Sequence, residues 1–389
     1  MVVPSSPAPA PAREAPLQAR PVPRMPHPET SAAPSPTEVP RFKRPDRVGQ
    51  LSRNDATGLA FACIGAGWAG HDRSGLEAAL HTDTCLRTPL RVTRGTKGPM
   101  ADALADQGTF CDLKFFAEDA ITGATAPKDI CADTLGIDGA GSLESSGTVA
   151  ARGSFTGVHG GFGWLGQPTG KPVRLRVMGD VWYCDGHARD AWVIRDTAGA
   201  LAQIGGGTPE DWARQRITAA GAAESAIPVP LNPDSDIEGP YAGRGASSDH
   251  GDTLCDRLRG LMTGDLNLLA RGDDPACSYV LPGNWRGLGK DSGALGFWAG
   301  LRSALPSAAF RIEHRAAAMR PNQAPVAAVR WSLYGRHDGP GRFGAASGVY
   351  VHVMGMTHVE FGPKGIRRDW TLIDDCAVWT QILLARGTD

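Results

Sequence analysis

The stretch that decides the fold runs from Arg152 to Gln203, RGSFTGVHGGFGWLGQPTGKPVRLRVMGDVWYCDGHARDAWVIRDTAGALAQ. It returns 178 positions later, from Arg330 to Gln381, as RWSLYGRHDGPGRFGAASGVYVHVMGMTHVEFGPKGIRRDWTLIDDCAVWTQ. Laid on each other without a gap, the two share 15 of 52 residues. Arg152 meets Arg330, Ser154 meets Ser332, His159 meets His337, Trp192 meets Trp370, Asp196 meets Asp374 and Gln203 meets Gln381. A bias toward small residues scatters glycine matches but does not put rare Trp and His in register, so the chain reads as a duplicated unit. A shift of two residues also aligns Val177-Met178-Gly179 with Val353-Met354-Gly355.

Each copy reads as an antiparallel meander of three strands. VAARGSFTGVH and VAAVRWSLYGRH end in Gly-rich turns that contain the histidine. PVRLRVMGDVWY and GVYVHVMGMTHVEF alternate and are β-rich, and DAWVIRD and RDWTLID follow after turns at Asp185-Gly186 and Gly362-Pro363-Lys364-Gly365. Helices come first. Leu254, Leu258, Leu261, Met262 and Leu269 fall on one face of a helix spanning 252–271, with Asp252 as its cap and Gly272 as its end. Leu295, Trp298, Leu301 and Leu305 mark a second helix over 292–305, stopped by Pro306. Before Phe110, Gly58, Gly65, Gly67, Gly70 and Gly75 weaken any helix. The fold class is therefore α+β, helices packed on one face of a curved sheet, twice over.

Composition agrees. A chain of 389 residues favours two domains. Forty basic against 41 acidic residues leave a formal charge of −1, which argues against a nucleic-acid-binding field. No apolar run reaches the ~18 residues of a membrane span. Residues 1–50 carry 13 of the 30 prolines and lack the apolar core of a secretory signal, so they read as a disordered Pro-rich tail. Domains are expected at 51–221 and 251–389, with 222–250 a Pro/Gly/Asp-rich linker crossing the surface. The eight cysteines form no CxxC or Cys/His zinc pattern and read as reduced, mostly buried thiols in a cytoplasmic bacterial protein. GAGWAG (65–70) and GGFGWLG (160–166) lack the strand-to-helix context of a dinucleotide loop, so no cofactor or metal is expected.

The order G-x-H-x-G, P-T-G, strand, D-G, W-x-x-x-D in Gly157–Asp196 resembles the C-terminal half of a SnoaL-like domain. That family lies in the nuclear transport factor 2 superfamily, with polyketide cyclases, limonene epoxide hydrolase and ketosteroid isomerase. Gly335-Arg336-His337-Asp338-Gly339, Ser347-Gly348 and Trp370–Asp374 repeat the order, and Phe297–Pro306 with Phe310–Glu313 resembles the family's helix and first strand. The resemblance covers most of 251–389 and, more loosely, 105–215. It implies two cone-shaped domains, each with an apolar pocket, fused as an intramolecular pseudo-dimer.

The resemblance also implies where acid–base groups belong, and there this chain departs from it. The cyclase base falls on Val193 and Thr371. Of the epoxide-hydrolase Asp-Arg-Asp set only the Arg is kept, as Arg152 and Arg330, with Ser154 and Ser332 at the first Asp. The polar groups left near the expected cone define the candidate site. They are His337, Arg330, Tyr334 and His358 for catalysis in the second, better-equipped half, and Arg152, Ser154, His159, Ser332, Thr371 and Val193 for substrate contact. Arg-x-Ser on a strand puts both side chains on one face, a fork of donors for an anion or carbonyl, and parity puts the two histidines opposite. His358 and Glu360 share a face, whereas adjacent Glu313 and His314 point apart. Trp192 and Trp370 read as core or interface anchors, and Asp196 and Asp374 as turn caps. Two readings stand. One is a cyclase, isomerase, dehydratase or hydrolase for an apolar, carbonyl-bearing substrate. The other is a non-catalytic ligand-binding or scaffold protein, for which the lost carboxylates speak. The Pro-rich tail is a candidate docking element for a protein partner; nucleic acid and membrane are not expected partners.

Overall fold

The computed structural model describes residues 53–130, 146–225, 239–291 and 293–387. The Pro-rich tail lies outside them, as does 226–238 of the expected linker.

Twelve strands form two six-stranded mixed sheets. The first holds β1 (Leu80–Thr88), β2 (Arg91–Arg94), β3 (Lys114–Ala124), β4 (Gly147–Val158), β5 (Pro172–Cys184) and β6 (His187–Arg195), in the order β2-β1-β6-β5-β4-β3. The second holds β7 (Asp273–Leu281), β8 (Trp285–Leu288), β9 (Ala309–Ala318), β10 (Val326–Arg336), β11 (Tyr350–Gly362) and β12 (Gly365–Ile373), in the order β8-β7-β12-β11-β10-β9. The expected meanders are β4-β5-β6 and β10-β11-β12. Each is extended by an antiparallel strand on one side and a parallel pairing, β1 with β6 or β7 with β12, on the other. Asp185 and Gly186, both at positive φ, make the tight β5–β6 turn.

The register keeps the offset of 178 through the whole meander. Arg152 stands opposite Met178, and Arg330 opposite Met356; Trp192 stands opposite Asp180, and Trp370 opposite His358. The two-residue shift that aligned the Val-Met-Gly triplets is therefore not used. Ladder hydrogen bonds fix pairing, and a slip inside a strand would break them. His358 accordingly corresponds to Asp180 rather than to Trp182.

Among the described residues the helices of six residues or more are α1 (Arg53–Phe61), α2 (Ser74–Ala79), α3 (Lys97–Thr109), α4 (Thr197–Ile204), α5 (Pro209–Ala220), α6 (Asp249–Met262), α7 (Ala294–Ala304) and α8 (Asp375–Arg386). Helix α1 forms despite Gly58, because Ala56, Leu59, Ala60 and Phe61 bury themselves against the sheet. The helix expected over 252–271 starts earlier, capped by Ser248, and breaks after Met262, where Gly264 takes positive φ and Leu268–Gly272 forms a separate turn. Leu295 is exposed on α7, while Phe297, Trp298 and Leu301 are buried.

Strand alternation divides each sheet into two faces. Val149, Ala151, Phe155, Leu175, Val177 and Val193 pack under the helices of the first half, and Ala327, Val329, Trp331, Leu333, Val353 and Val359 under those of the second. The back faces meet each other. Met178, Trp182, Trp192 and Ile194 pack with Met354, Met356 and Leu372 in a core shared by both sheets. Tyr241 joins it, buried and stacked on Trp182 at 5.7 Å. The described end of the expected surface linker thus runs into the interior, because an aromatic side chain there finds an apolar wall.

Candidate functional site

The Arg-x-Ser faces do not look into the cones. Trp331 and Leu333 occupy the helix-covered side of β10, so Arg330, Ser332 and Tyr334 point the other way, and Arg152 and Ser154 do likewise on β4. Arg152 lies 3.7 Å over the ring of Trp370, and Arg330 lies 3.6 Å over the ring of Trp192. Each half thus stacks its repeat arginine on the other half's repeat tryptophan. Arg330 donates from Nε to Asp180 Oδ2 at 3.0 Å, and His314 Nδ1 lies 3.0 Å from the same oxygen. Burial alone would raise the pKa of Asp180, but His314 and Arg330 hold it well below the usual carboxylate range. On the other side Arg152 Nη1 donates to Glu118 at 2.5 Å, Ser154 accepts from Arg174, and Ser332 donates to Glu313 at 2.6 Å.

Glu118 and Glu313 sit at matching bulges of β3 and β9, where the register skips a residue. The bulge corrects the expectation that Glu313 and His314 point apart. It turns both toward the back face, where they reach Ser332 and Asp180.

His358 is also buried on the back face. Burial, then the charge of Arg152, pushes its pKa down to about 4. Glu360, two residues away, is engaged with Arg367 and Arg368. The two repeat histidines build one and the same turn. His159 and His337 each accept, at the backbone carbonyl, from two N–H groups of the following loop, Thr169 and Gly170 or Ser347 and Gly348. Each Nδ1 meets the loop hydroxyl, Thr169 at 3.2 Å or Ser347 at 2.9 Å. Tyr334 stacks on Tyr350. Among the described residues no hydrogen bond joins any two of His337, Arg330, Tyr334 and His358.

One cavity, largely apolar, lies in the first half. A space of about 490 Å³ opens between the β1–β2 turn, α3, the 163–166 loop, β6 and α5. Its walls are largely apolar, with Leu90, Trp164, Leu165, Val193 and Trp212, and it receives Arg91, Asp102, Arg195 and Arg216. Val193, expected to contact substrate, lines it. Arg195, two residues along β6 and so on the same face, reaches Asp106 on α3 at 2.8 Å. The indole N–H groups of Trp68 and Trp164 donate to the same carboxylate, each at 3.0 Å. Three donors thus converge on Asp106, which serves to hold Arg195 in place. Asp374 enters from the second half. It caps α8 by accepting from Cys376 and Ala377, and takes the Thr197 hydroxyl at 3.0 Å. Burial pushes its pKa up to about 7, against these hydrogen bonds.

The second half does not repeat this arrangement. The offset of 178 puts Ile373 where Arg195 stands. Gly161 bonds the Thr109 carbonyl as Gly339 bonds that of Ala304, which puts Leu301 where Asp106 stands. Leu301 and Ile373 are core residues. Trp331 replaces Gly153 and spreads over Gly355, where a Cβ would come within 2.2 Å of its ring. Thr371 is committed to Asp369 and Thr357, and Asp369 in turn to Arg257. Large apolar side chains thus stand in the second half at the places where the first half carries Arg195, Asp106 and Gly153.

No protein-family model matches the sequence, and no curated protein matches it. Among solved structures the chain is similar to a SnoaL-like polyketide cyclase from Agrobacterium tumefaciens strain C58, at 18% identity over 35% of this chain and 100% of that one, TM-score 0.27. It is also similar to a protein of Jannaschia sp. CCS1 assigned to the SnoaL-like polyketide cyclases, at 19% identity over 35% and 96%, TM-score 0.29. A third, assigned as a polyketide cyclase of Streptomyces antibioticus, matches at 19% identity over 38% and 98%, TM-score 0.28. Each match spans little more than a third of this chain and nearly all of the other.

Proposed function

We propose that the first half is a small-molecule enzyme site of the SnoaL-like kind, and that the second half is its structural partner. The reaction class is proton transfer at an apolar, carbonyl-bearing compound, as in isomerases, cyclases and dehydratases. The observation that supports it is the 490 Å³ cavity with Arg195 and Asp374 on its wall, against Ile373 and Leu301 at the matching places of the second half. Pockets of this size with a few placed polar groups suit small ligands. Arg195, anchored by Asp106, keeps donors for a carbonyl oxygen, which stabilises the charge that develops there. A carboxyl with a pKa of about 7 gives and takes a proton near neutral pH. The charge of Asp374 is felt at Arg195, so donor and acid–base group act on one space.

A second reading, binding without turnover, draws on Val193. It is apolar where the resemblance implies a catalytic acid. Exchange of α-protons separates the two. Apolar ketones incubated with the protein in D₂O lose their α-proton NMR signals if Asp374 works as a base, and Asp374→Asn slows that exchange at least 100-fold. Ketones that bind and quench Trp164 and Trp212 fluorescence without any exchange would leave the binding reading in place.

A further inference from the structure

The charges around the cavity do not balance. Arg195 is answered by Asp106, and Arg91 by Asp102 on α3. Asp374 meets Thr197 and two backbone N–H groups and, among the described residues, makes no ion pair with an arginine. Arg216, on α5, lines the same cavity. Its one hydrogen bond here goes to the Ser225 carbonyl at 3.1 Å, and among the described residues no carboxylate lies within ion-pair distance of it. It is more than half withdrawn from water, and burial followed by the like charge of Arg91 disfavours its charged form, with the charge of Asp374 acting less strongly the other way. A guanidinium in such a place is costly unless an anion answers it. Its planar fork, on the same cavity wall as Arg91, matches a carboxylate. Leu90, Trp164, Leu165, Val193 and Trp212 supply apolar wall for the rest of a ligand.

We propose that the cavity takes an apolar carboxylic acid, its carboxylate held by Arg216 and Arg91 and its body lying against Trp164, Trp212 and Val193 toward Arg195. This rests on the reading of the cavity as a ligand site and adds the chemical class of the ligand. The acid group anchors the molecule at the α5 side, while Arg195 and Asp374 face its remaining part.

The test compares two flat aromatic probes of like size, 2-naphthoate and the neutral ketone 2-acetonaphthone, by titration calorimetry on the full chain. The unaltered protein binds naphthoate at least tenfold tighter than the ketone. Arg216→Gln brings the two within twofold of each other by weakening naphthoate alone, and Arg216→Lys restores part of the preference. Val193→Phe, which fills the cavity without touching a charge, removes both. Equal affinities that Arg216→Gln leaves unchanged, with both lost in Val193→Phe, overturn the acid and keep the cavity as a ligand site. Failure of both probes to bind, or binding that Val193→Phe does not disturb, overturns the acid together with the ligand site. Melting curves of all three variants identify any that fails to fold, and Arg91→Gln then takes the place of Arg216→Gln, with loss of the naphthoate preference again the expected result.

Discussion

Arg330 shows how a residue repeated for one reason is easily read for another. Its recurrence with Arg152, two places before a serine, carries the pattern of an oxyanion clamp. In the folded chain it sits on Trp192 and on Asp180, and its work is to hold two sheets together. Removing one partner of a buried ion pair leaves the other charged and dry, which costs about 3–5 kcal/mol. Arg330→Ala therefore lowers stability by about that much in denaturant titrations, with Asp180 left to His314 alone. A clamp on substrate would instead lose activity at unchanged stability. The sequence does carry the clue, since parity alone separates Arg330 from Trp331 and puts one of them outside the cone. It does not say which, because both faces of a sheet buried on both sides are apolar enough to be core. Arg195 was open to the same reasoning: it lies two residues beyond Val193, already placed toward the pocket.

At the scale of elements, α8 is the piece with two roles. Cys376 and Leu383 pack into the first core and Val378 and Ile382 into the second, while its cap, Asp374, reaches the cavity of the first half. The pKa of that cap, raised to about 7, has a direct consequence for stability. The folded chain binds a proton there that the unfolded chain, with an ordinary aspartate near pH ~4, releases earlier. Asp374 therefore contributes its full share below about pH 4, and that share is lost as pH rises through about 7. Asp374→Asn keeps a side chain that caps and accepts from Thr197 but cannot ionise. The difference in stability between variant and unaltered protein should grow in favour of the variant across pH 4–7, as measured by unfolding at several pH values. A flat difference would mean that Asp374 titrates normally. The meanders, both Gly-turns and the Asp185-Gly186 hairpin were legible from alternation and turn residues, which act within a few positions. The parallel strands β1 and β7 and the bulges at Glu118 and Glu313 were not, since their partners lie far along the chain.

In the whole molecule the two sheets share a core of Met178, Trp182, Trp192, Ile194, Met354, Met356 and Leu372, tied by crossed Arg–Trp stacks and by Tyr241. Neither half has a finished back face without the other. Calorimetric unfolding is thus expected as one cooperative transition. Trp192→Ala should lower its midpoint through a loss of about 3–5 kcal/mol, without splitting it in two. Two resolved transitions would show halves that stand alone. Duplication, the α+β class and the strands of each meander are all written along the chain, because hydrophobic period and turn chemistry are local properties. Which face of each sheet meets helices, and where the space walled by Arg195 and Trp212 opens, emerges only on folding. Those outcomes depend on Ile373 and Leu301 standing where Arg195 meets Asp106, a choice made by side chains brought together across the fold and distant along the chain.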